Sequence, residues 1–85
     1  MHRIERITYK DDTERLDNIY SGSKGCVGNL AEPIIGQVLW FDYSKDNKGN
    51  SKSGYMKTSM VEHVDYEEDL VIVETLHSVY YFRKL

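Results

Sequence analysis

Eighty-five residues, 40% hydrophobic and 29% charged, fit one small domain over 1–85 and argue against a disordered chain. A net charge of −3 is too slight to mark a general nucleic-acid binder. The single cysteine, Cys26, excludes an internal disulfide framework and reads as a small, half-buried residue in a reducing compartment. A deep substrate cavity would consume much of the core of so short a chain, which favours an outer surface as the working part. The N-terminal stretch MHRIERITYKDD lacks the apolar segment of a signal peptide, and no run approaches the roughly 20 apolar residues of a membrane span. The expected location is cytoplasmic, with no membrane contact.

Arg3 to Lys10 reads as a first strand, although Ile4 and Ile7 are three apart and also fit a short helix. Asp11-Asp12-Thr13 is a turn or helix cap. Thr13 to Leu16 could start one helical turn, which Asp17-Asn18 interrupts. Ile19-Tyr20 leads into the loop Ser21 to Gly25, which lacks the Gly-Lys-Ser/Thr spacing of a phosphate-binding loop. Cys26 to Leu30 is a short strand anchored by Val27 and Leu30. Pro33 marks a bend. Gln37 to Tyr43 is a strong strand whose alternation places Gln37, Leu39 and Phe41 inward and leaves Trp40 partly exposed on the face of Val38 and Asp42. Ser44 to Gly54 has no apolar side chain and is a solvated hairpin loop.

The last third is the densest in β-branched and aromatic residues. Tyr55 to Val64 is a strand whose two registers are both mixed, which predicts a bulge or bend near Ser59-Met60. Asp65 to Asp69 is an acidic hairpin turn. Leu70 to Thr75 points Val71, Val73 and Thr75 inward. Leu76-His77-Ser78 reads as a single helical turn, and Val79 to Lys84 closes the chain with Tyr80 and Phe82 inward. The pattern predicts an all-β fold, a small SH3-like barrel of five or six strands ending in a three-strand meander.

A set of residues within this frame carries a resemblance: Gly25-Cys26-Val27-Gly28-Asn29-Leu30, then Pro33 and Gly36, Thr58-Ser59-Met60-Val61, and Glu74-Thr75-Leu76-His77-Ser78-Val79-Tyr80-Tyr81-Phe82. The C-terminal part resembles a pattern of small β-barrel accessory proteins of bacterial phages and mobile elements. Theirs runs Thr-Ser-x-Val, a short hairpin, then Thr-x-Asn-Ser-x-Tyr-x-Phe, with His77 standing here in place of Asn. The resemblance implies an accessory protein that antagonises host defence. It says nothing about chemistry and assigns an activity to no residue.

The residues themselves assemble no chemistry. His2, His63 and His77 are far apart and none has metal-ligand spacing. Cys26, Ser59 and Ser78 build no nucleophilic triad, and no pair of carboxylates stands out. The expectation is therefore a protein that is not an enzyme and needs neither cofactor nor metal. The informative feature is charge. Glu62, Asp65, Glu67, Glu68, Asp69 and Glu74 fall in a stretch without lysine or arginine. Such a surface, with Tyr66 and Trp40 as aromatic anchors, suits a protein-binding module that plugs the basic groove of a host nuclease or other nucleic-acid-processing enzyme. The alternative is a small nucleic-acid-binding barrel, with Lys45, Lys48, Lys52 and Lys57 on phosphates and Tyr55 or Trp40 stacked on bases. A homodimer through an open barrel edge, burying Val79 and Tyr81, is a third arrangement.

Overall fold

The computed structural model describes residues 1–15 and 22–85. Among them, six strands run His2–Thr8 (β1), Val27–Leu30 (β2), Val38–Lys45 (β3), Tyr55–Tyr66 (β4), Leu70–Thr75 (β5) and Val79–Lys84 (β6). Each pairs antiparallel with its neighbours in sequence, and β6 returns to β1, closing the sheet into a barrel. The all-β barrel expected from the pattern is thus present, with six strands, and β4–β5–β6 is its C-terminal meander.

The core follows from period-two alternation. Leu39 and Phe41 of β3 point in and Trp40 points out, as the sequence implies. Ile4, Ile7, Val61, Val73, Tyr80 and Phe82 fill the interior with them. The rings of Phe41 and Phe82 stack at 5.4 Å, and Phe82 stacks on Tyr80 at 6.2 Å. A barrel this narrow is filled by its own side chains and has no lumen to spare.

Where alternation breaks, a bulge explains it. Ile4 and Ile7 both point inward because Glu5 is an extra residue in β1: Ile4 pairs with Phe82 and Arg6 with Tyr81. The expected bend near Ser59-Met60 is present, since Val38 pairs with Met60 but Trp40 with Lys57. A second one follows at once, with Val61 opposite Thr75 and His63 opposite Glu74, so β4 curls twice around the core. At the β2–β3 crossing Gly28 lies so close to β3 that a Cβ there would stand 2.0 Å from the Asp42 carbonyl oxygen. Only glycine fits that approach.

Several local expectations are corrected. Gln37 is exposed rather than inward, because it precedes β3 in a turn where its N–H bonds the Ile34 carbonyl (3.0 Å). Thr13 to Arg15 does not begin a helix. It doubles back along β1, with Glu14 bridging Thr8 and the Arg15 N–H on the Ile7 carbonyl at 2.8 Å. Leu16, Asp17-Asn18, Ile19-Tyr20 and Ser21 lie outside the described residues. Cys26 is fully buried, not half-buried, and burial pushes its thiol pKa up.

The β5–β6 connection is a tight hairpin turn rather than a helical one. The Thr75 N–H bonds the Ser78 carbonyl (2.8 Å), and the Ser78 N–H bonds the Thr75 hydroxyl (3.3 Å). His77 is exposed on that turn. Because the barrel is closed, the described strands offer no free edge on which Val79 and Tyr81 could pair with a second chain. Tyr81 is half-buried instead, with the Arg6 guanidinium 4.9 Å from its ring centre.

Candidate functional site

Two outer regions hold the residues singled out from the sequence, and they sit at opposite ends of β4. The first is the outward face of β3 and β4. Direct cross-strand pairing sets Asp42 beside Tyr55, Trp40 beside Lys57 and Val38 beside Met60. The Trp40 and Tyr55 rings lie 5.1 Å apart, and the Lys57 ammonium is 5.4 Å from the Trp40 ring centre.

Apolar neighbours extend this face. The Leu76 N–H bonds the Met60 carbonyl at 3.1 Å, which brings Leu76 alongside Met60 on the side away from Val38. The turn carrying Ile34 and Ile35 is tied to the same strand by the Gly36 N–H on the Val61 carbonyl at 2.9 Å. Ile34, Ile35, Val38, Trp40, Tyr55, Met60 and Leu76 are all exposed, from 37% for Val38 to 66% for Ile35. Scattered exposed hydrophobics are ordinary, whereas these are linked to one another by the β3–β4 pairing and the two backbone bonds to β4.

Of the lysines in the hairpin arm, only part joins the aromatics. Lys52 and Lys57 line a shallow recess with Tyr43 and Tyr55, and the Lys52 ammonium is 4.7 Å from the Tyr43 ring centre. Burial raises the Tyr43 pKa, with a partial offset from the Ser23 hydroxyl 2.6 Å away. Lys45 faces a different recess with Met1, Arg3 and Leu85. Lys48 is exposed in the loop, where its N–H bonds the Asp46 carboxylate at 2.9 Å. Asp42 lies on the aromatic face itself, paired with Tyr55.

The second region is the acidic end. The charge run is segregated in sequence but much less so in space. Lys10, brought in after β1, clasps Glu62 at 2.7 Å and Glu74 at 3.1 Å, and the Glu62 hydrogen bond is the chief reason its own pKa is raised. Asp65 has His63 at 3.3 Å. Glu67, Glu68 and Asp69 form the β4–β5 turn and share a recess with Tyr66, His2 and Lys84. Burial, then the N-terminal ammonium and Lys84, lowers the His2 pKa. Arg83, held mainly by a two-pronged contact with Glu5 at 2.9 and 3.1 Å, also feels Asp69 and Glu67. Tyr66 is 66% exposed at this tip.

Trp40 is not part of that acidic end. Its partner Lys57 and the tip residue Tyr66 are nine positions apart on β4, with both bulges between them. The proposed pairing of Trp40 with the acidic hairpin as one site is therefore not brought together. The sequence reading places Val38 outward with Trp40 but counts it toward no site, and it does not single out Met60, Leu76, Ile34 or Ile35 as surface residues. The signal was available for Val38, which shares the face of the outward Trp40. Met60 needed the bulge to be placed.

Among the described residues no three His, Cys, Asp or Glu side chains gather as a metal site, and no helix is long and apolar enough to cross a membrane. No family model, curated protein or solved structure matches the chain.

Proposed function

We propose that this chain is a non-catalytic protein-binding module whose principal contact surface is the outward β3–β4 face. The observation that supports this is the contiguous apolar and aromatic patch around Met60, rimmed by Asp42, Lys57 and the Lys10–Glu62–Glu74 cluster. An apolar centre inside a charged rim is the anatomy of a protein interface. The finer reading, an inhibitor of a host nucleic-acid-processing or defence enzyme, rests on the resemblance and on the acidic tip Tyr66 to Asp69, which retains unclasped carboxylates.

The test compares surfaces. Capture of protein partners from bacterial lysate is measured for the wild type, for Met60→Lys and for the double change Glu67→Lys with Glu68→Lys. Loss of capture with Met60→Lys supports the apolar face, and loss with the double change supports the acidic tip. A wild-type chain that holds no protein, itself included, would sink the proposal.

One observation favours a second reading. Trp40, Tyr55, Lys52 and Lys57 gather at one end of the face, as a stacking platform for single-stranded nucleic acid would. Under that reading the protein alone shifts labelled single-stranded DNA or RNA, with affinity falling steeply as salt rises.

A further inference from the structure

Resting on the nucleic-acid reading above, we infer that a single strand of nucleic acid crosses the hairpin arm 44–54. Its bases stack beside Tyr55 on one side of the arm, and its phosphates continue to Arg3 and Lys45 on the other. The first observation is how the cations divide. Among the described residues Arg6, Lys10, Lys24 and Arg83 are each held by a carboxylate. Arg3, Lys45, Lys48, Lys52, Lys57 and Lys84 have no carboxylate within ion-pair distance, and all but Lys84 border the arm. The arm's own Asp46 carboxylate is turned to the N–H groups of Lys48 and Asn50. Cations left open around one loop, while most elsewhere on the barrel are neutralised, suit a ligand with several negative charges.

The second observation is placement. Direct pairing sets Arg3 opposite Val27 and Val27 opposite Lys45. Side chains paired in this way share a face, and the adjacent Ile4 is buried, so Arg3 and Lys45 project outward on either side of Val27. They stand two strand spacings apart, roughly 10 Å. Both line one recess with Asn47 and Gly49 of the arm, while Lys52 and Lys57 line another with Tyr43 and Tyr55. The turn 22–25 borders both recesses, and the arm packs on it so closely that a Cβ on Gly25 would stand 3.0 Å from the Asn47 Cβ. Asp42, opposite Tyr55, offsets part of the charge of Lys52 and Lys57, so the Arg3–Lys45 side supplies much of the attraction.

The third observation selects among polyanions. Tyr55 is 61% exposed, and its ring lies 5.1 Å from that of Trp40 beside Lys57. An acidic peptide would satisfy the lysines and leave these rings without a flat partner. A duplex keeps its base faces stacked inside. A single strand brings base faces and phosphates together.

The test is equilibrium binding of the full chain to labelled oligomers of about eight thymidines or eight uridines, read by anisotropy from about 20 to about 200 mM salt. The logarithm of affinity should fall against that of salt with a slope of about −3.5, at about 0.7 per phosphate held by Arg3, Lys45, Lys48, Lys52 and Lys57. Arg3→Gln with Lys45→Gln should weaken binding at least about 10-fold and flatten the slope to about −2. Tyr55→Ala should weaken binding about 10-fold and leave the slope unchanged. These three side chains are exposed, so circular dichroism and the melting transition should match the wild type. Tyr66→Ala, at the acidic tip, should change nothing.

A wild-type chain that binds neither oligomer at the lowest salt overturns the nucleic-acid reading and this inference with it. Binding that is weakened by Tyr55→Ala but keeps its affinity and slope in the Arg3–Lys45 double variant retains the aromatic platform and overturns the crossing. Equal displacement by polyglutamate of matched charge, or equal affinity for a duplex, overturns the single strand as the occupant.

Discussion

The two halves of β4 present their outward side chains to solvent in opposite ways. From Tyr55 to Met60 the outward residues are apolar or aromatic around one lysine, and Tyr55 and Met60 stay 61% and 41% exposed. From Glu62 to Asp65 they are charged, and each carboxylate has a partner: Lys10 for Glu62 and His63 for Asp65. A charged run can be neutralised within the chain, because a long lysine from a distant segment can reach it while staying solvated, the modest attraction offsetting the side-chain entropy lost. An uncovered apolar strip has no such remedy once the core is full. The acidic run is therefore the more conspicuous feature in the sequence, and the apolar strip the more conspicuous one on the surface.

The largest expected effect comes from a change that removes both regions together. Gly28→Ala would drive a Cβ to within 2.0 Å of the Asp42 carbonyl oxygen and 2.9 Å of the Phe41 ring. Backbone must move, β2 must separate from β3, and the barrel should lose about 3 kcal/mol or more. Urea denaturation would read this as a lower midpoint. An unchanged midpoint would mean that the β2–β3 crossing is looser than described.

A smaller effect should turn the neutralised half of β4 into a truly acidic one. Lys10→Met leaves Glu62 and Glu74 facing each other without a counter-ion. The melting temperature should fall at low ionic strength and the deficit should shrink as salt is added. Association through the β3–β4 face should be unaffected. A salt-independent deficit would point to lost packing rather than lost charge.

The smallest effect concerns the hairpin arm beyond both halves. The Asp46 carboxylate accepts the N–H groups of Asn50 and Lys48, each at 2.9 Å, and these bonds, Asn50 first, hold its pKa below the usual carboxylate value. Because the folded pKa is depressed, the stability it contributes is complete above the ordinary carboxylate range and is lost as pH falls through the lowered folded value. Asp46→Ala should thus melt slightly below the wild type at pH 7, and the two should converge in acid. A gap that persists at low pH would mean that the carboxylate charge is not what closes the turn.

How much of this could be read beforehand varies by element. The meander and the inward side of β3 follow directly from alternation, because burial on one face of a strand selects every second residue. The first strand was ambiguous for a definite reason. Ile4 and Ile7, like Thr58 and Val61, are three apart, a spacing that a helix and a bulged strand share. The short turn at Leu76 to Ser78 was misread as helical because the hydrogen bonds that close it come from Thr75, a residue already assigned to the strand. Glu62 and Glu74 looked like free carboxylates because their counter-ion lies 52 and 64 positions away.

Alternation, turn composition and the position of glycine and proline settle locally, since each depends on neighbours a few residues away, and they determined that this chain is a meandering sheet with Leu39, Phe41, Tyr80 and Phe82 inside. Closure of β6 onto β1, the double curl of β4, the capture of two glutamates by Lys10 and the merging of Ile34, Val38, Met60 and Leu76 into one patch were decided only in three dimensions. Each of these joins segments distant in sequence, and the free energy that holds them depends on which surfaces meet, a quantity no local window of the chain contains.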